Sequence, residues 1–553
     1  MKKKWWKEAV GYQIYPRSFK DSNGDGIGDL NGIRQKLPYL VDLGIDFIWI
    51  NPVYASPNVD NGYDISDYQE IMTDFGTMAD FDLLLQEAHR LGLKVIMDLV
   101  VNHTSDQHPW FQSARSQRNS PMRDFYIWRD GLQGGPPNDW QAIFGGSAWE
   151  YDKESQQYYF HAFAKEQPDL NWENPELRKM VFEMISWWLD KGIDGFRIDA
   201  ISHIKKASWT LPAVENVSAG YQNIQGIGTH LMELKQVFDR YDVMTVGEAS
   251  GVSASEAVAW AGDEGYFDMI FEFEHIGLWK QEQQKAFDIP GFKQALSRWQ
   301  EALDGKGWNA LYMENHDVPR SVSVFGCDDE THRVVSAKAL AVMYLLLQGT
   351  PFIYQGQELG MTNMTFERID QIDALDSKHL YRELLAAGHS KEEAMQVVTG
   401  TTRDNARTPM QWDSSQYAGF SDVAPWLTIN PNKDRINAAQ EQQEAHSVFR
   451  WYQRLIQMRK EHPTLVYGGF EELLAHHEQL FAYLRIDEEA AFLVVVNLSA
   501  QQAVYPQPER VAELGANWVH MLGNQPEEVQ LAELSVLAPY EARVYRLARG
   551  ERV

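Results

Sequence analysis

Short apolar runs recur along the chain, most of them followed by stretches whose apolar residues repeat at three- and four-residue steps. The runs are GYQIYP (11–16), DFIWINPVY (46–54), LKVIMDLVVNH (93–103), IDGFRID (193–199), DVMTVGEAS (242–250), FDMIFEFEH (267–275), WNALYMENHD (308–317) and TPFIYQGQE (350–358). In PELRKMVFEMISWWLDKG, between the third and fourth runs, Leu177, Met180, Val181, Met184, Ile185 and Trp188 fall on one face of a helix. Near-continuous apolar strands alternating with helices predict a parallel sheet covered on both sides. Eight such units predict a closed (β/α)8 TIM barrel, with a doubly wound open sheet as the alternative.

The alternation is interrupted twice. Residues 105–171, rich in Gly, Pro, Asp, Trp and Tyr, are too long for a simple loop and predict a subdomain inserted after the third strand. Beyond the eighth strand come short helical stretches, and near residue 475 the pattern becomes alternating, as in LFAYLRI, AAFLVVVNLS and EARVYRLA. The predicted organisation is a barrel in two parts (1–104 and 172–475), the insertion (105–171) and a C-terminal antiparallel β-sandwich (476–553).

Composition narrows the partners. A formal net charge of −28 over 553 residues disfavours nucleic acid and anionic membranes, which need basic patches, and favours a small neutral ligand. No apolar run approaches the roughly 18 residues of a membrane span, and the basic start MKKKWWKEAV lacks the apolar stretch of a signal peptide. Cys327 is the single cysteine, which fits a reducing compartment. These features predict a cytoplasmic protein; a monomer or homodimer is expected.

Polar residues collect where the strands end: Asn102 and His103, Arg197 and Asp199, Glu248, and His316 and Asp317. In a barrel these ends form the mouth, where active sites of this architecture are built. Arg197 and Asp199 are two residues apart on one strand, so both face the same way. Three acids, with no phosphate loop, dinucleotide fingerprint or nucleophilic Ser or Cys motif, suggest glycoside chemistry, in which one carboxylate attacks and one carboxylic acid protonates the leaving oxygen.

INPVYASPNVDNGYDISDY, DLVVNHTSD, GFRIDA, TVGEA and MENHDVPR resemble the segments that characterise the α-amylase clan of glycoside hydrolases. QIYPRSF, QPDLNW (167–172) and RDNARTPMQW (403–412) are similar to those of its oligo-1,6-glucosidase and α-1,4-glucosidase group, over about residues 5–545. The resemblance implies Asp199 as nucleophile, Glu248 as general acid/base and Asp317 as transition-state stabiliser. It further implies His103 and His316 on sugar hydroxyls, Tyr63 as a stacking platform, and Asp60 with Arg403 closing the far wall, with Phe144, Phe163, Gln167, Arg197 and Ala200 as further substrate contacts. Arg197 is expected to hold Asp199 ionised, whereas Glu248 has an apolar approach and no adjacent cation, which favours a raised pKa.

The implied activity is a retaining exo-α-glucosidase on maltose and short malto-oligosaccharides, with transfer to sugar acceptors open. Oligo-1,6-glucosidase and trehalose-6-phosphate hydrolase are the alternatives. Ala200, after the nucleophile, resembles the α-1,4 set, where α-1,6 enzymes carry Val. In DSNGDGIGD, Asp21, Asn23, Asp25, the Ile27 carbonyl and Asp29 follow the spacing of a calcium loop, although Gly32 stands where an EF-hand supplies its bidentate Glu. The resemblance implies a structural Ca²⁺ there and no cofactor for the chemistry.

Overall fold

The computed structural model describes residues 3–209, 218–280 and 287–549. All eight apolar runs form parallel strands: β1 (Gly11–Ile14), β2 (Phe47–Ile50), β3 (Lys94–Val100), β4 (Gly195–Asp199), β5 (Met244–Glu248), β6 (Met269–Phe271), β7 (Ala310–Leu311) and β8 (Thr350–Tyr354). Their order is β6-β5-β4-β3-β2-β1-β8-β7, a barrel hydrogen-bonded everywhere except between β6 and β7. Side chains close that seam. The Phe271 and Tyr312 rings meet at 5.0 Å, and the Tyr312 hydroxyl donates to the Glu272 carbonyl (2.6 Å). The strands are shorter than the apolar runs because all but the fourth run continue past the ladder into the polar loop at the mouth; the fourth ends with its strand at Asp199 and is shortened at its start.

The barrel is filled, not hollow. Trp49 stacks on Phe271 at 5.5 Å, and Phe352 meets Phe271 at 4.8 Å and Phe47 at 5.4 Å. Outside, the helix Pro175–Asp190 starts on Pro175, with the Asn174 side chain accepting the N–H groups of Glu176 and Leu177. It buries Leu177, Val181, Met184, Ile185, Trp188 and Leu189 along one stripe, each large apolar side chain worth about 1.5–3 kcal/mol.

The insertion folds on itself as a three-stranded antiparallel sheet, with Gln157–Phe160 between Trp128–Arg129 and Trp149–Asp152. Its entry and exit are stitched together where His103 bridges Asp169. After β8, the helices Leu375–Ala386 and Lys391–Thr401 pack on Met364, Phe366 and Ile372 and carry the chain to Arg403 at the barrel mouth.

The C-terminal unit is a five-stranded antiparallel sheet, in the order Gly469–Leu473, Leu480–Ile486, Ala490–Asn497, Ala542–Ala548, Val519–Gly523. It starts ahead of the expected boundary at 476, because GFEEL carries two glutamates and does not alternate. The second layer of the expected sandwich is only the ribbon Ala503–Val504 with Val536–Leu537. The alternation of LFAYLRI sorts residues by what covers them: Phe481 and Tyr483 join the barrel's core, while Leu480, Ala482 and Leu484 face the ribbon side. Residues 550–553 of the expected domain lie outside the described residues. Among the described residues no helix is long and apolar enough to cross a membrane.

Candidate active site

Asp98 on β3 stands directly opposite Arg197 on β4, and Val246 of β5 faces Arg197 from the other side. This register brings four charged groups together at the mouth. The Arg197 Nη1 donates to Asp98 (2.8 Å) and Asp199 (2.5 Å), and its Nη2 donates to Glu248 (2.8 Å). One buried guanidinium therefore holds three carboxylates, two of them through separate arms of its fork. The Asp98 side chain is fully buried, whereas those of Asp199 and Glu248 are 10% and 17% exposed, so only the latter two can meet a ligand.

Glu248 thus does have an adjacent cation, contrary to the reading of its flanking residues. Its partner comes from the neighbouring strand, which linear adjacency does not reveal. Burial nevertheless pushes Glu248 up to about 8; Arg197 works against the rise and the Asp199 charge adds to it. Burial also raises Asp199, with Arg197 opposing and Asp98 assisting. Arg197 therefore orients Asp199 without bringing it back to the ordinary carboxylate range. Ala200 has the left-handed backbone (φ +44) and turns its N–H onto Glu248 (2.8 Å), a bond that fixes the acid from behind.

A second network fixes the floor. Gln13 donates to His316 Nδ1 (2.8 Å), which puts the ring proton on Nε2, 2.7 Å from the Tyr63 hydroxyl and 3.1 Å from Asp317. The Tyr63 and His316 rings stack 5° from parallel. Burial, with Asp317 opposing, lowers His316 to about 3, so it is neutral at working pH.

Asp317 opens on the cavity, its side chain 36% exposed. Burial works the other way, yet the His316 N–H pointing at it and the charges of Arg403 and Arg407 hold it well below the usual carboxylate range. Arg403 donates to Asp317 (3.0 Å) and Asp376 (3.2 Å), lies 3.7 Å from Asp60 and sits 5.0 Å from the Phe144 ring centre. On the insertion side, Gln167 donates to Asp60 (3.0 Å) and its amide nitrogen is 3.1 Å from His103 Nε2. Phe163 packs between His103 (5.1 Å) and Phe144 (5.6 Å). The insertion and the segment after β8 therefore meet across the mouth and make one end of the site a wall.

The Tyr63 hydroxyl donates to Asp98 (3.0 Å) and joins the two networks, so all thirteen expected catalytic and substrate-contact residues fall into one connected set. Four participants were missed. Asp98 is signalled by a lone acid inside an apolar strand, the same signal that picked out Arg197. Arg407, bonded to Asp317 (2.9 Å) and to the His316 carbonyl (2.9 Å), lies in the quoted RDNARTPMQW, but nothing about its spacing marks it. Gln13 and Asn51 look like ordinary strand-end polar residues; Asn51 donates to the Tyr63 hydroxyl at 2.7 Å.

The loop 21–29 lies apart from this set, against residues 420–426. Asp21 accepts the N–H groups of Asn23 (3.0 Å), Gly24 (2.7 Å) and Gly26 (2.9 Å) and the Ser421 hydroxyl (2.6 Å). Asn23 and Asp25 repeat the same turn, accepting from Asp25 (3.0 Å) and Ile27 (2.8 Å). Gly26 takes φ +89, and a Cβ there would come 2.5 Å from the Ala424 carbonyl oxygen. Asp29 caps the helix Leu30–Leu43 through Gly32 (2.7 Å) and also bonds Ser22. The donor set is oxygen only, which suits a hard cation.

The family description "Alpha amylase, catalytic domain" matches residues 13–468, and "Maltogenic Amylase, C-terminal domain" matches 470–544. The chain is similar to the Probable oligo-1,6-glucosidase 3 of Bacillus subtilis, 52% identical with 99% of this chain and 100% of the relative covered. It is similar to an Alpha-glucosidase of Pediococcus pentosaceus, 48% identical with 99% of each covered. Among solved structures, trehalose-6-phosphate hydrolase of Bacillus licheniformis superposes with a TM-score of 0.95 at 42% identity, over 99% of this chain and 100% of that one.

Proposed function

The chain belongs to the α-amylase family of glycoside hydrolases, and from that premise we propose that it is a retaining exo-α-glucosidase, releasing α-D-glucose from the non-reducing ends of maltose and short malto-oligosaccharides. The observation that carries this reading is the Arg197 fork. Because its two arms bond Asp199 and Glu248, the two carboxyls are held within a guanidinium's reach of each other. That favours direct attack, for which about 5–5.5 Å is required, over an intervening water.

In the first step Asp199 attacks the anomeric carbon as the glycosidic C–O bond breaks, and the Glu248 proton passes to the leaving oxygen. In the second, water attacks the glycosyl ester, its proton returns to Glu248 and Asp199 leaves. Asp317, held ionised by two arginines, faces the positive charge that develops on the ring. The wall of Asp60, Arg403 and Phe144 supports action on chain ends, one glucose at a time. α-Glucose as the first product by NMR is expected; β-glucose would overturn retention.

The α-1,4 preference rests on Ala200. A methyl-scale change in a pocket shifts relative kcat/KM by about 10- to 200-fold. Ala200→Val is expected to move the maltose-to-isomaltose ratio toward isomaltose, chiefly by losing maltose activity. The left-handed backbone at Ala200 resists a β-branched side chain, so part of the loss will fall on both substrates through the N–H to Glu248. Only the ratio tests specificity. A second reading, α-1,6 preference, is favoured by the name of the Bacillus subtilis relative. Initial rates on maltose, isomaltose, sucrose and trehalose-6-phosphate decide between them: isomaltose preferred by the wild type would reverse the assignment. A phosphorylated substrate is less favoured, because Arg197, Arg403 and Arg407 at the site are each bonded to carboxylates. Product chain lengths in the same assay report transfer to sugar acceptors.

The proposal extends to a structural Ca²⁺ held by Asp21, Asn23, Asp25, the Ile27 carbonyl and Asp29, bracing the loop against residues 420–426. A ligand of the native state stabilises it by mass action. EDTA should therefore lower Tm and added Ca²⁺ alone should restore it, while kcat at moderate temperature stays within about twofold, since the loop lies apart from the acids. An unchanged Tm would remove the ion from the proposal. A cytoplasmic site of action, suggested by the single cysteine, is part of the same proposal.

A further inference from the structure

Away from the mouth, the segment between the helices Ser321–Val324 and Arg333–Leu345 gathers three different metal-ligating side chains. Cys327 Sγ lies 3.1 Å from an Asp329 carboxylate oxygen, and His332 Nδ1 lies 3.1 Å from both Asp329 oxygens. One atom from each of the three falls within 4.8 Å of the other two. The surface histidines His379 and His389 each pair with a single carboxylate, Glu383 and Glu393. Among the described residues, Cys327, Asp329 and His332 are the one group in which at least three such donors converge.

We propose that Cys327, Asp329 and His332 form a binding site for Zn²⁺, with a fourth position open to solvent. The donors argue for the metal. A thiolate and an imidazole select zinc over calcium or magnesium, which take oxygen ligands. So do the dimensions: bond lengths of about 2.0–2.3 Å at tetrahedral angles place ligand atoms about 3.4–3.6 Å apart, so the two 3.1 Å contacts need widen only slightly.

The backbone already holds the ligands in place. Asp329 accepts the N–H groups of Thr331 (2.9 Å) and His332 (2.7 Å), which locks the turn that returns His332 toward Cys327. The Ser336 hydroxyl accepts the Cys327 N–H (3.1 Å) and donates to the Cys327 carbonyl (2.9 Å). Access is open, since the His332 and Asp329 side chains are 30% and 54% exposed. On binding, the thiol proton leaves to solvent and the imidazole proton moves from Nδ1 to Nε2, freeing Nδ1 for the metal. The His332 ring also packs against Tyr540 of the C-terminal unit at 5.9 Å, so the site lies beside the contact between the barrel's outer helix and that unit.

Cobalt substitution tests this in the intact enzyme. Metal-free protein titrated with Co²⁺ is expected to develop a sulfur-to-cobalt charge-transfer absorption in the near ultraviolet at one ion per chain, reversed by added Zn²⁺. That absorption is blind to an ion on the oxygen-only loop 21–29. Cys327→Ser should abolish it, and His332→Ala should weaken binding by at least about tenfold while both variants keep wild-type maltase activity and far-ultraviolet dichroism. No absorption in the wild type, or one that His332→Ala leaves at full strength and affinity, would overturn the site.

Discussion

Asp199→Asn is expected to lower kcat by roughly 10⁴- to 10⁶-fold, the scale seen when a covalent nucleophile is lost. The amide fills the same space and keeps an oxygen to accept from Arg197, so substrate binding should survive. Glu248→Gln removes the proton donor and is expected to cost at least about 100-fold, more on substrates with poor leaving groups. An activated aryl glucoside, whose leaving group needs little protonation, should recover most of the Glu248→Gln loss and little of the Asp199→Asn loss. That contrast separates the two roles. The thermal outcome is also directional. A buried acid whose folded pKa lies above its unfolded value binds its proton more tightly when folded, so stability is lost as pH rises from the unfolded toward the folded pKa. Burial raises both acids, so near pH 7 each opposes folding and the amides should melt no lower than wild type. Activity within tenfold of wild type for either variant would overturn its assigned role.

The barrel was legible because its strands are buried on both faces and therefore read as apolar runs, and because helices must fill the gaps between parallel strands. Strand ends were less so. β7 is only Ala310–Leu311, although WNALYMENHD reads as ten continuous strand residues. Past Leu311 the chain leaves the ladder, with Tyr312 committed to the seam with β6 and Glu314 to a buried pair with Arg320. The C-terminal unit misled in a different way. Alternation normally marks one wet face, but LFAYLRI is buried on both, with the barrel acting as one of its covers.

In the site, periodicity could say that Arg197 and Asp199 share a face, because both are on one strand. It could not say what Arg197 meets. Asp98 and Glu248 come from strands on either side, and their contact with Arg197 depends on a register set by whole-barrel geometry. The error about Glu248 has this origin: Val243, Met244 and Val246 describe its own strand, whereas its cation reaches over from β4. The far wall was reachable only through resemblance, since Asp60, Phe144 and Arg403 come from three loops with no shared pattern.

Because one guanidinium serves three acids, Arg197 is the residue at which a change that keeps the charge should still do most damage. Arg197→Lys retains one positive charge in the same cavity. A single ammonium at the end of a flexible chain cannot present two arms in a fixed plane, so it can hold Asp98 and Asp199, or Glu248, but not all of them in their present geometry. The expected result is a fall in kcat of about 10²- to 10³-fold with KM changed far less, as expected when catalytic groups are misplaced and binding groups are left alone. The pH profile supplies the check that a general loss of structure would not. Arg197 lowers the pKa of Asp199 against its burial, so weakening that contact lets the nucleophile's pKa rise further. Less of Asp199 is then ionised at a given pH, and the acid limb of kcat/KM should move to higher pH. Arg197→Leu, by contrast, leaves three buried acids without a cation and should cost about 3–5 kcal/mol in stability, seen as a lowered Tm that recovers partly as acid neutralises the carboxyls. If Arg197→Lys kept kcat within tenfold and left the acid limb in place, the guanidinium fork would not be what positions the two catalytic carboxyls.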